Sequence, residues 1–212
     1  MKPEPQVSRS NPMTMDAGRR APPGPLGTAA EGVEERDLVA RAQAGNEDAF
    51  RMLVDLHRDR AYQLALRIVR QPTDAEEVAQ DAFVRAWNGL GRYRGEARFS
   101  TWLHRIVVRR ALDRATVLKG RTTRETTLDD AGTLVAPTSG PDVDARANAV
   151  RLERLLGRLS PPQRAAVTLF YYEDRSVEEV AGVLAMPENT VKTHLSRARA
   201  ALRQAWLEEQ PS

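Results

Sequence analysis

The 212-residue chain has 41% hydrophobic and 29% charged residues, a composition typical of a soluble globular protein. Its 5% aromatic content disfavours an all-β sandwich or barrel, and its length suits two small domains. The absence of cysteine excludes disulfides, thiolate zinc sites and cysteine nucleophiles, and three scattered histidines do not form a histidine-rich metal site. The net charge of +3, with arginine dominating over lysine, favours an anionic partner such as nucleic acid.

Residues 1–30 are predicted to be a disordered leader. They are rich in Pro, Gly and Ser, as in the run Ala21–Pro25, and show no hydrophobic periodicity. The chain contains no apolar run approaching the roughly 20 residues of a membrane span, and its start lacks the apolar core of a signal peptide. We therefore expect a cytoplasmic protein that is not inserted into a membrane.

Residues 31–118 are predicted to form a first domain of four helices. Between residues 35 and 68, hydrophobic side chains recur at steps of three and four residues, which is the helical period. His57 lies on this stripe and is interpreted as a packed residue rather than a ligand. Thr73 begins a pattern typical of a capping box, which predicts a helix to about residue 90. Ser100 is predicted to cap a helix over residues 101–118.

Residues 119–146 are predicted to be a linker, because Thr, Gly, Pro and Asp replace the apolar residues there. Residues 147–209 are predicted to form a second domain of four short helices. Within it, Ser160 is followed by two prolines and Gln163, which is typical of a capping box with proline in the first turn. Ser176 begins a second capping box.

The last two predicted helices form a helix-turn-helix. The helix after Ser176 is interrupted at Met186–Pro187, and the next begins near Asn189 with no acidic residue between Glu188 and Glu208. The major groove of DNA admits a helix whose Arg and Lys side chains reach guanine edges and phosphates, so this pattern predicts DNA binding. A solvated basic face would fit an isolated helix, but not the two-helix pattern. The candidate contacts are Thr190, Lys192, Thr193, Ser196, Arg197 and Arg199.

A second group of aromatic and basic residues precedes and follows Ser100. Aromatic rings stack on unpaired bases while guanidinium groups hold phosphates, so this group favours single-stranded nucleic acid. The same pattern is also typical of core aromatic residues, and Phe99 and Trp102 remain open between the two interpretations. The candidate contacts are Tyr93, Arg94, Arg98, Phe99, Trp102, Arg105, Arg109 and Arg110.

Three segments resemble the extracytoplasmic-function (ECF) sigma factors of bacterial RNA polymerase, in that family's order. Asp74–Trp87 is similar to the helix that grips the clamp coiled coil of the largest polymerase subunit. Phe99–Leu103 and the basic helix after it are similar to the segment that melts the promoter and recognises the −10 element. Leu159–Arg164, which leads to Asn189–Lys192, is similar to the module that reads the −35 element.

The resemblance implies an all-α protein of two small helical domains joined by a flexible linker, the C-terminal one a helix-turn-helix. Residues 31–118 would then be sigma region 2 and residues 147–209 sigma region 4. The chain would bind core RNA polymerase and direct promoter-specific initiation. Its partners would be core polymerase, promoter DNA and an anti-sigma factor, with no catalytic residue, cofactor, metal or small-molecule substrate. The polymerase contacts would be Glu77, Gln80, Asp81 and Val84.

The chain departs from the family at two informative places. Arg109 stands where Asn is common, which leaves the −10 preference open. Asp174–Arg175 stands where Gly-Leu is frequent, and we expect this change to alter only a turn.

Other classes of protein fit the sequence less well. A LuxR-type regulator that acts without core polymerase shares a segment similar to Glu188–Leu195, but the chain lacks the strand and helix alternation of the domains that such regulators carry. A nucleic-acid enzyme would need clustered carboxylates or metal ligands, whereas the acids here are dispersed. A third possibility is that the first domain binds only protein and that DNA is contacted only by the second domain. The aromatic and basic group would then have a purely structural role.

Overall fold

The computed structural model describes residues 29–124, 151 and 154–208, with side chains for 34–119, 151 and 154–208. Every regular element in these ranges is helical, which confirms the all-α prediction. Residues 154–157 are helical, Leu90–Arg92 forms a 3₁₀ turn, and Thr168–Tyr172 is a π-helical segment. The helices are α1 (Ala29–Gln43), α2 (Glu47–Val69), α3 (Pro72–Gly89), α4 (Phe99–Arg124), α5 (Pro161–Val167), α6 (Val177–Leu184) and α7 (Glu188–Glu208).

Helices α1 to α4 enclose the core of the first domain. The helix α2 begins where the Asn46 side chain accepts a hydrogen bond from Ala49 N at 2.8 Å, and acidic residues in its first turn favour the positive end of the helix dipole. The helix ends at Arg70, whose left-handed φ of 67° stops the helical path. The apolar stripe predicted from the spacing is confirmed, since Leu53 and Ile68 are fully buried.

Two predicted helix starts in this domain are wrong. The helix α3 begins at Pro72 after Gln71, because proline fits the first helical turn, so Thr73 lies inside the helix rather than at its cap. The helix α4 begins at Phe99 and includes Ser100. It also continues to Arg124, into the predicted linker. Most of that linker, and the predicted leader up to residue 28, lie outside the described residues.

Both capping boxes of the second domain are confirmed. Ser160 N donates to the Gln163 side chain at 2.9 Å, and Ser176 N donates to the Glu179 carboxylate at 2.8 Å. The helix α6 ends at Ala185, whose φ of 52° turns the chain towards α7. The helix-turn-helix therefore forms as the sequence predicts.

The two domains pack against each other in a single continuous core. The central contact is the buried Arg164 of α5, whose Nε and Nη2 donate to the Ile68 carbonyl at 3.0 and 2.8 Å. Because Ile68 lies in the last turn of α2, its carbonyl has no partner within the helix, and Arg164 satisfies it from the other domain. The same guanidinium donates to the Leu159 carbonyl at 2.9 Å.

Among the described residues, none of the helices combines the length and apolarity needed to cross a bilayer.

Candidate functional site

The helix α7 presents a polar and basic face opposite a buried stripe. Val191, Leu195, Ala198 and Ala205 are buried against the rest of the second domain. The candidate −35 contacts all lie on the exposed side of the helix, and they are Thr190, Lys192, Thr193, Ser196, Arg197 and Arg199.

Some of these side chains are held near the helix by local bonds. Lys192 Nζ lies 3.4 Å from the Glu188 carboxylate, and the Thr193 hydroxyl donates to Asn189 O at 2.8 Å. Both interactions are exposed, so DNA can compete for the groups that make them. The face could therefore contact a DNA groove without any rearrangement of its own domain.

The candidate polymerase contacts lie together on the outer face of α3. Glu77, Gln80 and Val84 are exposed, with Val84 at 59%, and Asp81 is half-buried. Val84 also lines a groove of about 390 Å³ between α2 and α3, with Phe50 among its other lining residues. The face thus combines carboxylates with an apolar groove.

The acids of this face are paired with Arg110 and Arg114 of α4 and with Arg85 of α3 itself. Asp81 Oδ2 accepts from Arg110 Nε at 2.5 Å and from Arg85 Nε at 2.9 Å. Arg114 lies 3.0 Å from the Glu77 carboxylate and also pairs with Asp74. Sequence reasoning did not identify Arg114, because its partners are about 40 residues away in the chain.

The candidate −10 residues divide into an exposed basic set and an aromatic cluster. Arg94, Arg98, Arg105 and Arg109 are exposed, and Arg110 is half-buried by its pairing with Asp81. The exposed arginines lie on the loop before α4 and on α4 itself. These arginines therefore come from one continuous stretch of the chain, namely the loop after α3 and the first half of α4.

The aromatic candidates pack on one another. Phe99 is only 2% exposed, and its ring centroid lies 5.7 Å from that of Trp102 and 5.4 Å from that of His57. Tyr93 lies against Trp102 at 5.1 Å, and its hydroxyl donates to Ala97 O at 2.5 Å, which fixes the loop. In this arrangement Phe99 is a core residue, and Tyr93 and Trp102 are the partly accessible rings.

The second domain lies against the basic helix of the first. Arg175 Nη1 donates to the Thr101 hydroxyl at 2.9 Å. Arg105 lies against Gly182 of α6, because a Cβ atom placed on Gly182 would be 3.3 Å from Arg105 Nη2. From the sequence alone, we expect the replacement of the family's Gly-Leu by Asp174–Arg175 to alter only a turn. That expectation is wrong, because Arg175 also contacts the first domain. Asp174 adopts a left-handed φ of 49°, and Arg175 bridges the two domains.

A buried carboxylate lies within this interface. Glu173 Oε2 is 3.3 Å from Arg60 Nε and 3.9 Å from His104 Nδ1. Burial raises the pKa of Glu173, and attraction from Arg60 and Arg175 offsets this only in part. Burial, with repulsion from Arg175 and Arg60, lowers the pKa of His104 to about 3, so its imidazole is neutral at pH 7. Sequence reasoning missed this cluster, although an acidic residue directly after an apolar segment is a weak signal for it.

The described ranges contain no group of three or more His, Asp or Glu side chains arranged to bind a metal ion.

These features define an all-α protein with a helix-turn-helix and two separate basic surfaces. The sequence matches the family described as Sigma-70 region 2 over residues 53–120, and the family described as Sigma-70, region 4 over residues 149–202.

Curated relatives give the same result. The ECF RNA polymerase sigma factor SigM of Mycobacterium tuberculosis is 36% identical over 79% of this chain and 82% of its own length. The RNA polymerase sigma-H factor of Pseudomonas aeruginosa is 31% identical over 81% of this chain and 93% of its own. The chain belongs to the ECF sigma factors, and it directs promoter-specific initiation of transcription.

Solved structures agree with this assignment. The chain resembles CnrH, solved in complex with the cytosolic domain of CnrY, with a TM-score of 0.61 and 28% identity over 84% of this chain and 99% of that one. The sigma factor RpoE of Bartonella quintana, solved with the anti-sigma factor NepR, shares the fold with a TM-score of 0.61 at 21% identity, over 76% of this chain and 98% of that one.

Proposed function

We propose that residues 31–118 bind core RNA polymerase and −10 DNA, and that residues 147–209 read the −35 element. Polymerase contacts come from the outer face of α3, and −10 contacts come from α4 and the loop before it. The segment between Arg124 and residue 147 joins the two. As a partner of core polymerase the protein acts in the cytoplasm, and it performs no catalysis of its own.

The observation that carries the −35 assignment is the exposed face of α7. Its basic and small polar side chains all point away from a fully buried stripe, so none of them is needed to hold the domain together. Arg and Lys side chains on such a helix donate to guanine edges and phosphates, while Thr and Ser permit close approach. The N-terminal half of α7, with Lys192 and Thr193, supplies the base contacts.

Use of the −10 surface requires the second domain to move. Arg105 lies against Gly182 of α6, and Thr101 is bonded to Arg175. DNA bound along this part of α4 would therefore compete with the second domain for the same helix. We infer that the domains separate when the protein joins the polymerase.

An anti-sigma factor is the proposed regulator. The relatives CnrH and RpoE are both known in complexes with partner proteins, and RpoE is bound there by the anti-sigma factor NepR. A partner that stabilises this arrangement, in which the second domain packs against α4, would keep the −10 surface from DNA although the α7 face stays exposed.

The −35 assignment is tested by Arg197→Ala, with Arg203→Ala as the matched control on the same helix. One lost bidentate contact costs about 1–3 kcal/mol, so we expect Arg197→Ala to reduce initiation by roughly 5- to 150-fold. Arg203 is exposed but lies about 9 Å further along the helix, so its loss changes initiation by about twofold at most.

The measurement is open-complex formation by reconstituted holoenzyme on a promoter found by mapping start sites, with and without a scrambled −35 element. The defect of Arg197→Ala disappears on the scrambled template if Arg197 reads this element. An equal defect on both templates, or an equal loss with Arg203→Ala, would contradict the assignment.

A further inference from the structure

One ion pair joins the two candidate surfaces of the first domain. Asp81 belongs to the proposed polymerase face on α3, and Arg110 belongs to the proposed −10 surface on α4. Arg110 Nε donates to Asp81 Oδ2 at 2.5 Å, and its Nη1 donates to Asp113 at 3.2 Å. Arg110 is therefore already engaged by two carboxylates in the free protein.

The pair is held firmly but remains accessible. Although burial alone would raise the pKa of Asp81, hydrogen bonds and attraction from Arg85 and Arg110 lower it, so its carboxylate stays ionised. The side chains of Asp81 and Arg110 are 34% and 35% exposed. A cation from a partner can therefore reach Asp81, and a phosphate can reach Arg110.

Binding of a polymerase cation to Asp81 and the pairing of Asp81 with Arg110 partly exclude each other. A polymerase cation that docks on Asp81 shares the carboxylate with Arg110 and also repels it, since like charges then lie within a few ångströms. Arg110 loses attraction on that side, and a DNA phosphate becomes its better acceptor. The effect is reciprocal, because any factor by which polymerase tightens DNA binding is the factor by which DNA tightens polymerase binding.

We propose that Asp81 and Arg110 form a coupling pair, in which Asp81 withholds Arg110 from −10 DNA until core polymerase engages the Asp81 carboxylate. This inference rests on the proposed function of the two faces. Asp81 acts here as a positioning residue for Arg110 as well as a polymerase contact. The expected coupling is about two- to fivefold, which is the range for a partly exposed ion pair.

The test measures the affinity of the free protein for a single-stranded oligonucleotide that carries the −10 sequence of a mapped promoter. Fluorescence anisotropy at constant salt compares the wild type with Asp81→Asn, Arg110→Gln and the double variant. The matched control is Glu76→Gln, which removes one negative charge from an exposed position of the same helix. The control corrects for the general effect of charge on DNA affinity.

We expect Asp81→Asn to tighten binding by about two- to fivefold beyond the Glu76→Gln control. Adding Arg110→Gln removes that gain, and Arg110→Gln alone changes binding little, because Arg110 is withheld in the wild type. The proposal is overturned if Asp81→Asn matches the control or if its gain survives the loss of Arg110.

Arg109→Gln separates this inference from the proposed function. Arg109 lies on the same helix and is exposed. If Arg109→Gln weakens binding while Asp81→Asn does not strengthen it, the coupling fails and the −10 surface stands. If Arg109→Gln has no effect on the free protein or on the holoenzyme, in which the second domain has moved away from α4, α4 is not the DNA surface and both proposals fail.

Discussion

Replacing Arg164 by Met should destabilise the protein by about 1–3 kcal/mol, because it leaves buried carbonyl oxygens without partners. Arg164 donates to Ile68 O across the domain interface and to Leu159 O within its own domain. Burial, with repulsion from Arg70, lowers the pKa of Arg164 to about 10, so the group remains a cation at pH 7. Methionine fills similar space but offers no donor.

Urea unfolding gives the size of this effect, and small-angle scattering shows whether the domains separate. We expect a lower midpoint and a larger radius of gyration for Arg164→Met. The matched control is Arg158→Met, since Arg158 and Glu208 form a pair in which both side chains are about half exposed, and such pairs contribute less than about 1 kcal/mol. A loss below about 1 kcal/mol for Arg164→Met would contradict the role given to the guanidinium.

His104 should make the closed arrangement sensitive to acid. Its pKa is lowered to about 3 in the folded protein and is near 6.5 when unfolded, so between these values only the unfolded chain takes up the proton. The free energy of unfolding therefore falls as the pH falls through this window. The contribution of His104 to this loss is about 2 kcal/mol between pH 7.5 and pH 5. Glu173, whose pKa is raised, acts in the opposite direction at pH values above its ordinary pKa, where the folded protein takes up the proton before the unfolded chain.

The contribution of His104 is isolated by a His104→Gln variant, since other carboxylates titrate in both proteins. Free energies of unfolding are measured for wild type and variant at pH 7.5 and pH 5. We expect the wild type to lose about 2 kcal/mol more than the variant over this interval. If the free energy of unfolding falls equally in the two proteins, His104 has the same pKa in the folded and unfolded states, and the prediction is wrong.

Local patterns predicted the second domain well. Ser160 and Ser176 each need only a side chain three residues ahead to form a capping box, so a short window of sequence contains the whole interaction. The buried stripe of α7 follows likewise from the helical period, as at Val191 and Leu195. Such features do not depend on the rest of the fold.

The contacts between helices could not be predicted in the same way. Arg164 is a buried cation, which the general exposure of arginine does not suggest, and its acceptor lies 96 residues earlier in the chain. Phe99 fits both a core and a base-stacking role in the sequence, and only the positions of His57 and Trp102 place it in the core. The pairing of Asp81 with Arg110 likewise depends on how α3 and α4 pack.

The most direct measurement is transcription by core RNA polymerase from a pool of genomic promoter fragments, with and without the purified protein, followed by mapping of the start sites. The Asp81→Arg variant is assayed beside it. We predict start sites that depend on the protein and share spaced −35 and −10 elements, and their loss together with core binding in the variant. Binding of DNA by the protein alone, with no affinity for core polymerase, would contradict this account and favour a regulator of the LuxR type.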